Sequence, residues 1–273
     1  MLRHCPLLVL LCLSFAIPVT AQDGLPAFNQ SLESSTARKQ LLRGFTVGRM
    51  RERSIDKAAN KWHANHVRYM IRTQFQARVQ KLTYQQSWDK IINDLPGELD
   101  QCKKLGMTAV LCLFELPNDN ALNYPKGREK LTAFWNDDSN RQLLIKCWQQ
   151  IAQICKDRDQ DIWFEILNEP LDWQDFPKPP KHWRSWAQQA INAIREIDKK
   201  HPVVIEVGPG GLCWAFKDFE PLKDDYIIYA THQYQPHQYT HQGIKNIKQT
   251  DLKQAYLDMH QPWPGEYSDT GGG

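Results

Sequence analysis

Past its first 21 residues the chain has no apolar run long enough to cross a bilayer, which takes about 20 residues. It also has little net charge. Lys and Arg number 34 against 31 Asp and Glu, and setting aside residues 1–21 removes only Arg3, so the balance is 33 − 31 = +2. A near-neutral chain gives no electrostatic case for nucleic acid or an anionic membrane. There is no Cys-x-x-Cys. Of seven cysteines, Cys5 and Cys12 lie in the first 21 residues, which leaves an odd, scattered five. Cys147 and Cys155 share a helical pattern eight residues apart, roughly 12 Å by helical rise and too far to bridge. That set fits buried thiols better than a disulfide framework, with one bridge between neighbouring elements left open. No Lys-Ser/Thr follows Gly208-Pro209-Gly210-Gly211, which excludes a phosphate loop. His232, His237 and His241 fit no common zinc spacing and lack the accompanying Glu, so no metal is implied. Internal repeats and linkers are absent as well.

What is present begins with a targeting segment. Arg3 supplies the positive start, Leu7 to Ile17 the short apolar stretch, and Val19-Thr20-Ala21 the small residues of a cleavage site. This reads as a signal peptide over 1–21, and the protein as secreted or periplasmic. Residues 22–40 are polar, with Gly, Pro, Ser and Asn, and read as a leader before a folded domain over 41–273.

Strand and helix patterns then alternate. Residues 41–47 read as a first strand, and Ser54 to Ala64 as a short helix with Ser54 as N-cap. Residues 65–71 form a second strand. Ser87 to Leu105 carries apolar residues at three- and four-residue spacing, with an irregularity at Pro96 and Gly106 closing it. Residues 108–114 are a third strand, and 118–138 a long loop containing Trp135. Residues 139–156 are a helix. Another runs from about His182 to Lys199. Residues 202–207 and 226–230 read as strands five and six. Such alternation argues one α/β domain with a parallel sheet.

Strand four is the informative stretch. Ile162-Trp163-Phe164-Glu165-Ile166-Leu167 is apolar and ends abruptly in Asn168-Glu169-Pro170. Proline ends the ladder and biases Glu169 to an extended backbone. A carboxylate at the C-terminal tip of a strand stands where barrel and open α/β enzymes keep their chemistry. Strand-Asn-Glu-Pro resembles the signature of glycoside hydrolase family 5, the cellulase-like retaining glycosidases. Arg43-Gly44 is similar to the family's opening strand, and Asn65-His66-Val67-Arg68 to its second. His232-Gln233-Tyr234, with Pro236 and Thr240-His241-Gln242-Gly243, is similar to its sixth. One departure is plain. Most members carry Asp-x-His after strand three, where this chain has Glu115-Leu116-Pro117-Asn118.

The resemblance implies a (β/α)8 TIM barrel, here incomplete, with about six of the eight βα units present and the C-terminal part of the domain missing. It implies Glu169 as general acid/base, Asn168 holding the sugar 2-hydroxyl, and Arg68 beneath the site paired with a catalytic Glu. His232 and Tyr234 would orient the carboxylates. Trp135, Trp173, Trp214 and Trp263 are candidate sugar-stacking platforms. The nucleophilic Glu is expected beyond residue 273. Glu266 sits in a tetrapeptide similar to the family's strand seven, but Pro262 and Pro264 before it argue against a central strand. No cofactor is implied. The implied partner is a β-linked polysaccharide, glucan or cellulose first, cut by a monomeric enzyme. A non-catalytic carbohydrate-binding barrel is the alternative.

Overall fold

In His66–Ile71, alternate residues Val67, Tyr69 and Ile71 are buried, while His66, Arg68 and Met70 are half-covered. One face of this strand therefore meets a helical layer, and the other carries its polar residues inward. The computed structural model describes residues 41–48, 52–117, 128–159, 161–234 and 237–240. The signal-peptide, leader and strand-seven expectations, with Trp263 and Glu266, lie outside those residues.

The described strands are β1 (Gly44–Val47), β2 (His66–Ile71), β3 (Thr108–Leu113), β4 (Ile162–Glu165), β5 (Val203–Glu206) and β6 (Ile227–Ala230). All neighbours are parallel, in the order β1-β2-β3-β4-β5-β6. A doubly wound sheet reverses its strand order at a switch point. This one never does, and a strictly sequential parallel sheet is the arrangement of a (β/α)8 barrel. Six of its strands are among the described residues. Register places Met70, Cys112, Glu165 and Val204 side by side.

The helices are α1 (Glu52–Asp56, running into a wider turn at Lys57–Lys61), α2 (Thr73–Gln80), α3 (Tyr84–Lys104), α4 (Glu129–Asn136), α5 (Asp138–Cys155), α6 (Trp183–Arg195) and α7 (His237–Thr240). Helix α3 begins three residues before the sequence pattern does, because Thr83 and Gln86 form a reciprocal capping box. Its stripe Trp88, Ile91, Leu95, Leu99 and Cys102 is buried at the spacing of one helix face. Pro96 lies within it, and the Pro96 carbonyl accepts a bond from Arg158. Helices α5 and α6 bury Leu144, Cys147, Trp148 and Ile151, and Trp186, Ala190, Ile191 and Ile194. Trimming a buried Leu such as Leu99 to Ala would cost about 2–5 kcal/mol.

Several local expectations are corrected. Ser54 lies inside α1, not at its cap, since the helix starts at Glu52. The first strand is shorter than 41–47 and begins at Gly44. There only glycine fits: an added Cβ would stand 2.0 Å from the His66 carbonyl oxygen. Residues 129–136, expected as loop, are helix α4. All five cysteines of the described residues are free thiols. Cys102, Cys112, Cys147 and Cys155 are buried, and Cys213 is exposed.

Candidate active site

The site is built where strand ladders run out. Beyond β4 and β5 the backbone carbonyls lose their neighbours and need other donors. Three indoles supply them. Trp148 of α5 donates to Ile166 O at 3.0 Å, Trp183 of α6 to Glu206 O at 3.1 Å, and Trp135 of α4 to Leu171 O at 3.0 Å. The chain past β4 stays aligned with the sheet, with Ile166 N bonded to Val204 O and Asn168 N to Leu113 O. The loops after β4, β5 and β6 are joined by bonds from Gly210 N to Pro170 O at 2.9 Å and from His232 N to Gly211 O at 2.8 Å. The segments carrying the candidate residues are therefore tied to one another and to rigid elements.

On this frame five charged side chains converge. Arg68 of β2 donates to both carboxylate oxygens of Glu165, through Nε at 2.7 Å and through Nη2. The same Nη2 reaches Glu206 Oε1 at 3.0 Å, Asn168 Oδ1 at 2.9 Å and Cys112 Sγ at 3.3 Å. His232, after β6, bonds Glu169 Oε1 through Nδ1 at 2.6 Å and Glu206 Oε1 through Nε2 at 2.9 Å. The Glu169 backbone N–H donates to Glu206 Oε2 at 2.7 Å. Glu165 and Glu206 are almost wholly buried, while the side chain of Glu169 is 42% exposed. Of the three acids, Glu169 alone is presented outward.

The electrostatics follow from this packing. Burial raises the Glu165 carboxyl to about 7. Arg68 works against that rise, and the neighbouring Glu206 adds to it. Glu206 feels burial most, but hydrogen bonds from His232 and Glu165 hold it below the usual carboxylate value. Of this adjacent pair, Glu165 is the carboxyl pushed toward its protonated form and Glu206 the one held toward its ionised form. Hydrogen bonds to Glu169 and Glu206 raise His232 to about 9, so it is an imidazolium at neutral pH. Burial, with Glu165 beside it, keeps the Cys112 thiol protonated. Among the described residues, Glu165, Glu206 and His232 are the group whose ligand atoms come within 4.8 Å of one another. The Arg68 guanidinium already bonds both of those carboxylates, so it takes the place a cation would occupy.

The structure brings Arg68, Asn168, Glu169 and His232 together and sets Tyr234 at their edge, its ring 6.0 Å from that of His232. Arg68 pairs with Glu165 and Glu206 and not with Glu169. The backbone expectation for Glu169 is overturned. Its φ is +45°, on the left-handed side, because tertiary bonds to Glu206 and His232 override the preference set by Pro170. Trp135 offers no face to a sugar. It is 2% exposed and packs against Phe134, Trp183 and Trp186. Trp173 and Trp214 are exposed and linked through Phe176, with ring centroids 5.6 and 6.4 Å apart. His237's side chain and His241 lie outside the described residues. Sequence reasoning missed Glu165 and Glu206. Their signal was a lone carboxylate closing an otherwise apolar strand.

The Cellulase family model, glycosyl hydrolase family 5, matches residues 29–263. The chain belongs to glycosyl hydrolase family 5. Its similarities to individual proteins are partial. Endoglucanase 3 of Fibrobacter succinogenes is 32% identical over 108 residues, covering 39% of this chain and 16% of that protein. Endoglucanase C of Acetivibrio thermocellus is 26% identical over 169 residues, covering 62% of this chain and 45% of that one. The chain therefore spans less than half the length of either relative. Among solved structures, endoglucanase Cel5A of Thermotoga maritima superposes with a TM-score of 0.58 at 22% identity, covering 76% of this chain and 60% of that one. A likeness at that identity speaks for the shared barrel fold.

Proposed function

We propose that this protein hydrolyses a β-linked glucan with retention of configuration, using Glu169 as general acid and then general base. The observation that carries this reading is the Glu169 carboxylate, which is open to solvent yet held at its backbone by Glu206 and at its side chain by His232. An acid must reach the leaving oxygen while its own position is fixed. Asn168 has its carbonyl oxygen on Arg68, which directs its amide N–H toward a sugar hydroxyl. Trp214 offers an indole face for stacking on sugar rings, whereas the Arg128 guanidinium lies 4.5 Å over the Trp173 ring and leaves that indole its opposite side. Relatives named endoglucanase and cellodextrinase favour a β-1,4-glucan. A Thermotoga maritima Cel5A structure in complex with mannotriose keeps a mannan as the second substrate class to assay. Residues 1–21 would direct secretion and be removed, and the enzyme would act as a monomer.

Retention needs a second carboxylate about 5–5.5 Å from the first, free to attack carbon. Glu206 is near enough to share His232 with Glu169, but it is 1% exposed and accepts bonds from Arg68, His232 and the Glu169 backbone. We assign the nucleophile to a carboxylate outside the described residues. Trapping with a 2-deoxy-2-fluoro cellobioside carrying a good leaving group tests this. Peptide mapping should find the sugar on a Glu other than Glu165, Glu169 and Glu206. An adduct on Glu206 would contradict the assignment, and an adduct on Glu169 would exchange the roles proposed here.

A further inference from the structure

We propose that Glu206 is a positioning residue for this site: its carboxylate holds the backbone of Glu169 and the ring of His232 at once, and so sets where the Glu169 carboxylate stands. The inference rests on the acid/base reading of Glu169.

Besides the Glu165 carboxyl, three donors from other elements converge on this one carboxylate. Oε1 accepts from Arg68 Nη2 at 3.0 Å and from His232 Nε2 at 2.9 Å, and Oε2 accepts from Glu169 N at 2.7 Å. A glutamine cannot replace it, because in either orientation its NH2 faces a donor. The backbone of Glu206 is itself fixed through Trp183 Nε1 on its carbonyl. Space for the carboxylate comes from Gly211, at φ +71°. A Cβ there would stand 2.9 Å from Glu206 Oε2. Glu169 adopts φ +45°, a conformation a glutamate keeps only when its surroundings hold it, and the bond to Glu206 is what holds its N–H.

Charge supports the same role. Facing Glu206 are Arg68 from β2, the neutral Cys112 thiol from β3, Glu165 from β4, Glu169 from the loop after β4, and His232 after β6, with the Tyr234 ring against His232. Glu206 takes a share of the imidazolium's charge, so the His232 ring is held between two carboxylates and not by Glu169 alone.

The test compares wild type, Glu206→Gln, Gly211→Ala and Glu169→Gln in the full chain. His232 is titrated by imidazole NMR, and the pH–rate profile is measured on soluble β-glucan. Glu206→Gln should lower the His232 pKa by about one unit or more and move the alkaline limb of kcat down by about one pH unit. It should cut kcat about 10- to 100-fold with KM little changed. An unmoved His232 titration in folded Glu206→Gln overturns the proposal. So does a uniform loss of activity with an unshifted pH profile, which is the mark of a purely structural residue. Should Glu206→Gln not fold, Gly211→Ala decides: pressing on the carboxylate, it should lower the His232 pKa in the same direction by a smaller amount, and an unmoved titration overturns the proposal. Glu169→Gln cutting polysaccharide at the wild-type rate would instead overturn the acid/base reading, whatever His232 does.

Discussion

Replacing Arg68 by methionine removes the cation that lies between two buried carboxylates. Methionine keeps most of the stem's volume and none of its charge. Arg68 bonds Glu165 twice and Glu206, Asn168 and Cys112 once each. Its side chain is 18% exposed and those of the two acids 3% and 1%, so solvent screens the cluster little. Breaking a buried ion pair by deleting one partner costs about 3–5 kcal/mol, and that is the loss expected at pH 8. The loss should depend on pH in a definite direction. Arg68 lowers the Glu165 carboxyl, which stands near 7 with the guanidinium in place, so without it that pKa moves higher. A carboxyl raised in the folded state contributes stability below its unfolded value, near 4.5, and loses it as pH rises through the folded one. Both proteins gain on going from pH 8 to 5, and the variant gains more. Each pH unit of extra titration range is worth about 1.4 kcal/mol, and the range from 7 to 8 is one unit, so the deficit at pH 5 should be smaller by up to about 1.4 kcal/mol. Urea unfolding at the two pH values measures it. A deficit that is equal at both, or larger at pH 5, would refute the reasoning about a raised Glu165 carboxyl held down by a guanidinium.

Four further outcomes are expected. His232 is raised to about 9 from 6.5, so its contribution is complete below pH 6.5 and lost as pH rises through 9. Allowing for partial exposure this is about 1–3 kcal/mol, and thermal melting should fall between pH 6 and 9 less steeply in His232→Gln than in wild type. Trp135→Ala should destabilise the fold by about 3–5 kcal/mol. Trp214→Ala should leave stability within about 0.5 kcal/mol and raise KM for soluble glucan about 2- to 10-fold, as unfolding curves and initial rates would show. Alkylation of the native protein followed by peptide mapping should modify exposed Cys213 and spare buried Cys102, Cys112, Cys147 and Cys155 until denaturant is added.

How far the sequence carries the fold can be judged from single residues. Strands β3 to β5 were legible because buried parallel strands are nearly continuous apolar runs, and the stripe from Trp88 to Cys102 because a helix face repeats every three or four residues. Helix α4 was not legible. At eight residues it is short, and Asn136-Asp137-Asp138 beside it reads as loop chemistry. Trp135 was misplaced with it. In the site, Glu169 stood out because a carboxylate before proline ends a strand abruptly. Glu165 and Glu206 did not, because each is one polar residue in an apolar stretch, and its partners come from β2 and from the loop after β6, 97 residues from Glu165 to Arg68. The left-handed backbone at Glu169 was hidden for the same reason: the bonds that hold it reach Glu206 and His232, 37 and 63 residues further on.

The central claim is that Glu169 supplies and removes the proton. It is tested most directly by Glu169→Gln assayed on two substrates in parallel, a soluble β-glucan and an aryl cellobioside whose leaving group needs no protonation. The account predicts that hydrolysis of the glucan falls by at least about 100-fold, while release of the aryl group in the first turnover stays near the wild-type rate and later turnovers slow for want of a base. Equal rates of wild type and variant on the glucan would contradict it.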